Sequence, residues 1–300
     1  MLCSALRALF RRADIRSFPA IPTPELPPTP VTAPAGIQPL PWSPTRLALN
    51  DQLWGPGFIF PGGETETVHL AKPIGISASG SLLLVGVGSG GPAGAITQNL
   101  GAWVTGRESD PHLLNAARSR TARDRFGHKV ALSPWDPDNP VFDDRKYHHC
   151  LALDPLRRGH AEPILHGLTQ AVRRGGHLVI SGIAAEQALD PDEPTVARWA
   201  ALDGRSARLV PTRRGVTRML GRLGFDVRIE EDITHRHTEQ AMLGWRVLLS
   251  QLREKRPDRD MANSLMREAE LWLLRRRLLK EGRLRMMRWH AISRPAAATD

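Results

Sequence analysis

The apolar and polar positions of residues 81–110 predict a strand, a tight turn, a helix and a second strand. Residues 82–85 form an unbroken apolar run, which is typical of a parallel strand that is buried on both faces. A glycine-rich turn follows over 86–91, and then a predicted helix over 93–100 and a strand over 103–106. We therefore expect the rest of the chain to be arranged around a parallel sheet.

Buried runs and amphipathic segments continue in alternation to residue 293. This alternation is typical of an α/β domain, in which helices connect the strands of a sheet. Further strands are predicted at residues 128–132, 147–153, 177–181, 225–231 and 284–293. Helices are predicted at residues 44–53, 64–70, 111–125, 160–174, 211–223, 235–256 and 260–281, with mixed helix and loop at 186–203.

Three flanking segments differ from the domain in composition. Residues 1–18 are amphipathic and rich in arginine, which suits a helix on an anionic membrane, an organelle transit peptide or a terminus without a function. Residues 19–44 contain proline repeatedly, so we expect a semi-rigid linker or an arm on the domain surface. Residues 45–294 form the domain, which ends in a helical C-terminal addition, and the tail 295–300 is expected to be disordered.

The composition limits the class of protein. The chain has 300 residues, of which 41% are apolar, and no run reaches the roughly 18 apolar residues of a membrane span. Cys3 and Cys150 are far apart, so we expect no disulfide framework, no zinc site and a cytoplasmic location. The net charge of +10 favours acidic partners, unless it reflects a general bias towards arginine.

The glycine turn and the acid that follows it indicate a site for a nucleotide-like cofactor. Glycines let the backbone approach a ligand closely, and the next helix begins with free N–H groups and a positive dipole. Glu108 follows the second strand, roughly 20 residues after the turn, where an acid binds ribose hydroxyls in dinucleotide sites. The alternative is a helix-capping turn without a ligand.

Two further acids follow predicted strands. Asp136 comes after the third strand beside Trp135, where a carboxylate accepts from an adenine amino group while the ring packs against the base. Asp154 ends the fourth strand, and ligands of open α/β sheets bind at the carboxyl ends of strands. Asp154 is therefore our candidate catalytic residue. For both acids, the alternative role is that of a turn cap.

Residues 55–63, before the first strand, combine glycines with large aromatic side chains. We expect this loop to fold over a cofactor as a lid, with Trp54, Phe58 and Phe60 as its apolar cover. The alternative is a hydrophobic clasp on the edge of the sheet.

The order of these motifs resembles the class I S-adenosylmethionine-dependent methyltransferases over about residues 45–294, and within them the phosphoethanolamine type. The similar segments include LLLVGVGSGGPAG, VTGRESDPHLLNAA, SPWDP, LTQAVRRGGHLVISG and RMMRWHAIS. The resemblance implies a Rossmann-like, mostly parallel sheet of seven strands, with an antiparallel last strand and helices on both faces. It implies S-adenosylmethionine as the cofactor. It assigns Gly86, Gly88 and Gly90 to the methionine end of the cofactor. It assigns Glu108 to the ribose and Asp136 to the adenine.

Some positions depart from the pattern of that family. Leu84 stands where an acid commonly precedes the glycine turn, and Phe58 where phospho-base methyltransferases tend to have tyrosine. His148 or His149 stands where an acid commonly opens the fourth strand, and we find no catalytic histidine after that strand. These departures argue against phosphoethanolamine as the substrate, and they admit a member without catalytic activity.

Methyl transfer to a small-molecule or lipid-like acceptor is therefore the leading hypothesis. The first alternative is a methyltransferase-fold protein with a binding or assembly role. The second is a nicotinamide- or flavin-dependent oxidoreductase, because Gly86, Gly88 and Gly91 also fit GxGxxG. No metal is expected, and nucleic acid is not favoured because no aromatic and basic platform is apparent. An anionic membrane surface is a candidate partner of the N-terminal segment.

Overall fold

The computed structural model of this chain describes residues 39–254 and 256–294. The predicted amphipathic segment 1–18, most of the proline-rich segment and the tail 295–300 lie outside these residues. The strands are β1 (Ser81–Val85), β2 (Trp103–Glu108), β3 (Val130–Pro134), β4 (Tyr147–Leu153), β5 (Val172–Ala185), β6 (Phe225–Asp232) and β7 (Leu284–Ser293). The α-helices are α1 (Pro44–Trp54), α2 (Gly63–Ala71), α3 (Gly91–Leu100), α4 (Pro111–Thr121), α5 (Ala161–Ala171), α6 (Pro194–Asp203), α7 (Arg213–Arg222), α8 (Thr234–Glu254) and α9 (Arg259–Lys280).

The strands form one seven-stranded sheet in the order β3-β2-β1-β4-β5-β7-β6. Strand β7 runs antiparallel to β5 and β6, and the strands from β3 to β5 are parallel. The order reverses between β1 and β4, which creates a crevice at the carboxyl ends of the strands. The predicted fold class is confirmed.

Strand β1 is buried on both faces because its side chains alternate between two helical layers. Leu82 and Leu84 pack in a cluster with residues of α2, α3 and α4, whereas Leu83 and Val85 pack in a cluster with residues of α5 and α7. The unbroken apolar run of β1 is the sequence signature of this double coverage.

Strand β5 is longer at both ends than its apolar run predicts. It begins at Val172, so the preceding helix ends at Ala171 and not at Arg174. At its start, Val172 pairs with Tyr147 at the beginning of β4, where the register shifts, and at its end residues 182–185 pair with β7. A Cβ atom at Gly176 would lie 2.3 Å from the His148 carbonyl oxygen, and Gly175 has a φ of +74°. The glycine pair therefore serves a strand irregularity and not a helix end.

A helical layer closes one side of the domain. Helices α1, α8 and α9 share a core that includes Leu49, Trp245 and Trp272. Ser43 caps α1, because its hydroxyl accepts from the Arg46 N–H. The last residues of the proline-rich segment pack on this domain, since Leu40 is buried and its N–H donates to the Leu202 carbonyl.

Candidate functional site

A cavity lies in the crevice at the carboxyl ends of the strands. It holds about 1140 Å³ of space, including the part that opens to solvent. We call the part at the ends of β1, β2 and β3 the β1–β3 half. The part at the ends of β4 and β5, which α8 and α9 help to enclose, is the β4–β5 half. Five of the predicted site residues line the cavity, namely Phe60, Gly86, Glu108, Trp135 and Asp154.

The glycine turn after β1 has a backbone that side chains would obstruct. Gly86, Gly88 and Gly90 all have positive φ angles. A Cβ atom at Gly86 would lie 2.2 Å from the Leu153 carbonyl oxygen, and one at Gly88 would lie 3.1 Å from Ile59. Gly86 lines the cavity, whereas Gly88 and Gly90 do not. The turn therefore forms a close-packed backbone cradle at the floor of the β1–β3 half.

Glu108 connects the end of β2 to the glycine turn. Its carboxylate accepts from the N–H groups of Gly88 (2.8 Å), Ser109 (2.9 Å) and Asp110 (3.1 Å). Only 6% of the residue is exposed. Burial raises the pKa of Glu108, and the three backbone hydrogen bonds oppose that rise. Its position is set by backbone groups, so it keeps one orientation at the cavity wall.

The two predicted adenine contacts differ in position. Trp135 lines the cavity, packs against Phe142 and has a buried Nε1 without a hydrogen-bond partner among the described residues. Asp136 is exposed, does not line the cavity and accepts from the Asp138 N–H at 2.9 Å. Asp136 thus caps a turn in this structure, which is the alternative that the sequence left open.

Asp154 lies at the cavity in an unusual backbone conformation and an ion pair. Its φ and ψ are +52° and +43°, a left-handed conformation that is rare outside glycine. Its Oδ2 accepts from the Arg205 guanidinium, whereas its Oδ1 is buried without a partner among the described residues. One carboxylate oxygen therefore has no partner among the described residues.

The predicted lid contributes one of its three aromatic residues to the cavity. Phe60 lines it, together with Ile59 from the same loop. Trp54 packs against Trp272 at 5.2 Å between ring centroids, and its Nε1 donates to Asn50. Phe58 is buried in the same helical core. The apolar character of Trp54 and Phe58 is therefore used to attach the loop to the domain, as in the clasp alternative.

The loop is also attached to the start of α3. The Gly91 N–H donates to the Gly57 carbonyl at 2.9 Å. The Gly57 N–H donates to Asp51, which also pairs with Arg120. The first N–H group of α3 is thus satisfied by the loop, so this end of the helix has fewer free donors than its sequence predicts.

A buried ion-pair network, which the sequence reasoning missed, adjoins the β4–β5 half. Asp203, at the end of α6, contacts Arg157, Arg205 and Arg275. Burial would raise the pKa of Asp203, but the charges of Arg205, Arg275 and Arg157 lower it well below its ordinary value. The only sequence signal was an acid and a basic residue flanking the helix-ending Gly204.

His237 is a second residue that the sequence reasoning missed. It lies on α8, lines the cavity and is 7% exposed. Its ring packs against Trp272, and its Nε2 is buried without a hydrogen-bond partner among the described residues. Burial, followed by the charge of Arg275, lowers the pKa of His237 to about 3. The imidazole is therefore neutral at physiological pH.

Neither a metal-binding group nor a membrane-spanning helix is present among the described residues. No group of three or more His, Cys, Asp or Glu side chains in 39–254 and 256–294 is arranged to hold a metal ion. No helix within those ranges has the length and apolar character that a bilayer crossing requires.

Comparison with known proteins places these features in context. A methyltransferase of Streptomyces halstedii, GfsG, is 26% identical over 129 residues, which are 43% of this chain and 46% of that protein. Phosphoethanolamine N-methyltransferase 2 of Caenorhabditis elegans is 25% identical over 139 residues, which are 46% of this chain and 32% of that protein. Each match spans less than half of the relative's length. No protein-family model matches the chain.

A solved structure extends the similarity to most of the fold. Phosphoethanolamine N-methyltransferase 2 of Haemonchus contortus, in complex with phosphomonomethylethanolamine and S-adenosylhomocysteine, superposes with a TM-score of 0.72. It is 16% identical, and the match covers 83% of this chain and 57% of that chain. This chain has the methyltransferase fold. The similarity that the sequence motifs predict is thus confirmed, both with methyltransferase sequences and with a methyltransferase structure.

Proposed function

We propose that this chain binds S-adenosylmethionine in the β1–β3 half of the cavity. The observation that carries the proposal is Glu108, a buried acid that backbone N–H groups hold beside the glycine turn. A carboxylate in that position accepts from the two hydroxyls of a ribose. Gly86 presents bare backbone to the same cavity, and a Cβ atom there would clash. The residues present therefore fit the cofactor that the motifs imply.

Each wall of the β1–β3 half has a distinct task in this proposal. Glu108 binds the ribose, and the turn around Gly86 lies against the methionine end. Trp135 packs against the adenine through its ring, which lines the cavity. Asp136 caps its turn, so we propose that it contributes through the position of Trp135.

We further propose methyl transfer to a small-molecule acceptor in the β4–β5 half. Bound S-adenosylmethionine supplies a methyl group that its sulfonium already activates. The chain then aligns the acceptor and excludes water. Phe60 and Ile59 cover the cavity, and Asp154 Oδ1 and His237 Nε2 are the unpartnered polar atoms that orient the acceptor. A neutral His237 accepts or donates one hydrogen bond without adding charge.

Calorimetric titration of the purified chain tests the cofactor. We expect micromolar binding of S-adenosylmethionine and S-adenosylhomocysteine, and none of NADH. The Glu108→Ala variant is expected to weaken binding by about tenfold or more, since it removes a charge-assisted hydrogen bond. Glu162→Ala, which alters an exposed carboxylate on α5, serves as the matched control. Equal affinities for the two variants would remove Glu108 from the site.

A binding or assembly role without methyl transfer is the second candidate function. It is favoured by Leu84, which is fully buried in the core where the resembling family commonly has an acid. Without that acid, the methionine end of the cofactor loses one anchor. If none of the three ligands binds, this candidate replaces the first. Tighter binding of NADH would instead favour an oxidoreductase.

A further inference from the structure

The charged groups beside the β4–β5 half do not balance. Asp154 and Asp203 are the two carboxylates of the network, and both contact Arg205. Arg157 and Arg275 also contact Asp203. Three arginines therefore share two aspartates, which leaves one positive charge in excess.

Arg158 adds a second positive charge to the same half. It lines the cavity and is exposed. No carboxylate in the described part of the chain pairs with its guanidinium. Unlike the three arginines of the network, Arg158 therefore has its charge available to a ligand.

The arginines of the network are also short of hydrogen-bond acceptors. Arg275 Nε and Arg205 Nη1 are buried without a partner among the described residues. Burial lowers the pKa of Arg275, and the charges of Arg205 and Arg157 lower it further, with Asp203 in opposition. A buried cation with an unsatisfied donor is costly unless an anion approaches it.

The other acids of the cavity are already engaged elsewhere. Glu66 pairs with Arg236. Glu108 is held by backbone N–H groups, and Asp110 caps α4 through the N–H groups of His112 and Leu113. None of these three carboxylates contacts an arginine of the β4–β5 half. The excess positive charge there is thus left for a ligand.

Most of the remaining surface of this half is apolar, with Ser181 and His237 as polar exceptions. Leu70, Ile183, Ile233 and Met286 line the cavity, and all four are buried or half-buried. Trp42 closes it from the segment before α1. Such a surface binds a hydrocarbon body and excludes water from it.

We infer that the acceptor is an apolar acid, whose carboxylate or phosphate binds at Arg158 and Arg275 and whose hydrocarbon part lies on the apolar lining. That this ligand is the methyl acceptor rests on the proposed function. The charge complementarity applies to a ligand of this half in either case.

The test is a calorimetric series with four eight-carbon probes, each titrated with and without saturating S-adenosylhomocysteine. The probes are octanoate, octyl phosphate, octan-1-ol and octylamine. We expect one of the two anions to bind at least about tenfold more tightly than octan-1-ol, as one charge-assisted contact predicts, and octylamine to bind most weakly. The stronger of the two anions identifies carboxylate or phosphate. Octan-1-ol or octylamine binding as tightly as both anions would overturn the inference.

A pair of arginine variants locates the effect. Arg158→Met is expected to weaken the preferred anion by about five- to tenfold while leaving octan-1-ol unchanged. Arg267→Met removes an exposed arginine on α9 and is expected to change neither. Because both arginines are exposed, neither variant disturbs the core. An equal loss for anion and alcohol in Arg158→Met, or no loss at all, would contradict the assignment.

The two proposals fail in different ways. If S-adenosylhomocysteine binds but the probes show no preference for an anion, the inference is wrong and the proposed cofactor stands. If the probes show that preference and S-adenosylhomocysteine does not bind, the proposed function is wrong and the anion site stands.

Discussion

The two halves of the cavity are built in different ways. The residues that line the β1–β3 half at the strand ends come from one continuous stretch, residues 86–137, and Glu108 there is held by backbone N–H groups. The charged network of the β4–β5 half joins side chains that are far apart in the chain, since Asp203 contacts both Arg157 and Arg275. A site made of backbone contacts is specified locally, whereas one made of ion pairs requires the complete fold.

The two designs also respond differently to substitution. A backbone N–H remains with any side chain except that of proline, so the hydrogen bonds that hold Glu108 survive most substitutions of the donor residues. An ion pair that loses one partner leaves the other charge buried and uncompensated. The following predictions test this contrast, from the largest expected effect to the smallest.

Asp203→Asn is expected to reduce the free energy of unfolding by about 3–5 kcal/mol. The reason is that the three arginines of the network keep only one charged aspartate, Asp154, which contacts Arg205 alone among them. Urea denaturation measures this loss, and Asp138→Asn, at an exposed aspartate, is the control. Since the folded pKa of Asp203 is lowered, its stabilisation is present above its unfolded pKa of about 3.9. It is lost as the pH falls below that value. A loss below about 1 kcal/mol would show that the network is not a structural requirement.

Gly86→Ala is expected to reduce the free energy of unfolding by about 3 kcal/mol. This loss is the sum of the left-handed backbone strain and of the shift that the Leu153 carbonyl must make. Gly75 also has a positive φ, but no atom lies within 4 Å of its Cβ position. Gly75→Ala is therefore expected to reduce the free energy of unfolding by only about 1 kcal/mol. Urea denaturation of the two variants separates strain from close approach, and equal losses would contradict the cradle at Gly86.

His237, in the β4–β5 half, is expected to make the free energy of unfolding depend on pH. Its folded pKa is about 3, below an unfolded value of about 6.5, so the unfolded state binds a proton first as the pH falls. As the pH falls from 6.5 to 5, the free energy of unfolding of the wild type is expected to decrease by about 2 kcal/mol more than that of His237→Gln. Above pH 6.5, this difference disappears.

His235→Gln is the matched control for that comparison. His235 is on the same helix, and its side chain is 87% exposed. Urea denaturation at several pH values is expected to show wild-type behaviour in this variant. The same pH dependence in His237→Gln as in wild type would mean that the imidazole is not held neutral.

The contrast between the halves also explains what the sequence could predict. The first two strands and the position of Glu108 follow from local patterns, namely an apolar run, a glycine turn and an acid at the end of the next strand. The extra residues of β5 depend on pairing with the start of β4 and with β7. The position of Trp54 depends on Trp272, which is 218 positions away in the chain. No local pattern contains such partners.

The same reason accounts for the residues that sequence reasoning missed. His237 and Arg275 lie on long amphipathic helices whose polar positions all look alike in sequence. Only the packing of α8 and α9 against the sheet and α1 selects the ones that line the cavity. Asp154 shows the intermediate case, since its place at a strand end was predictable and its pairing with Arg205 was not.

The placement of Trp42 has a consequence for how the cavity can vary among related chains. This wall of the cavity comes from the residue two positions before α1, and its ring carries the Arg46 guanidinium at 3.8 Å. Related chains can therefore differ at residues 39–43, before α1, and so differ in the shape of the space for a ligand. The strands, the glycine turn and Glu108 stay untouched, so the cavity can take a different shape on the same sheet.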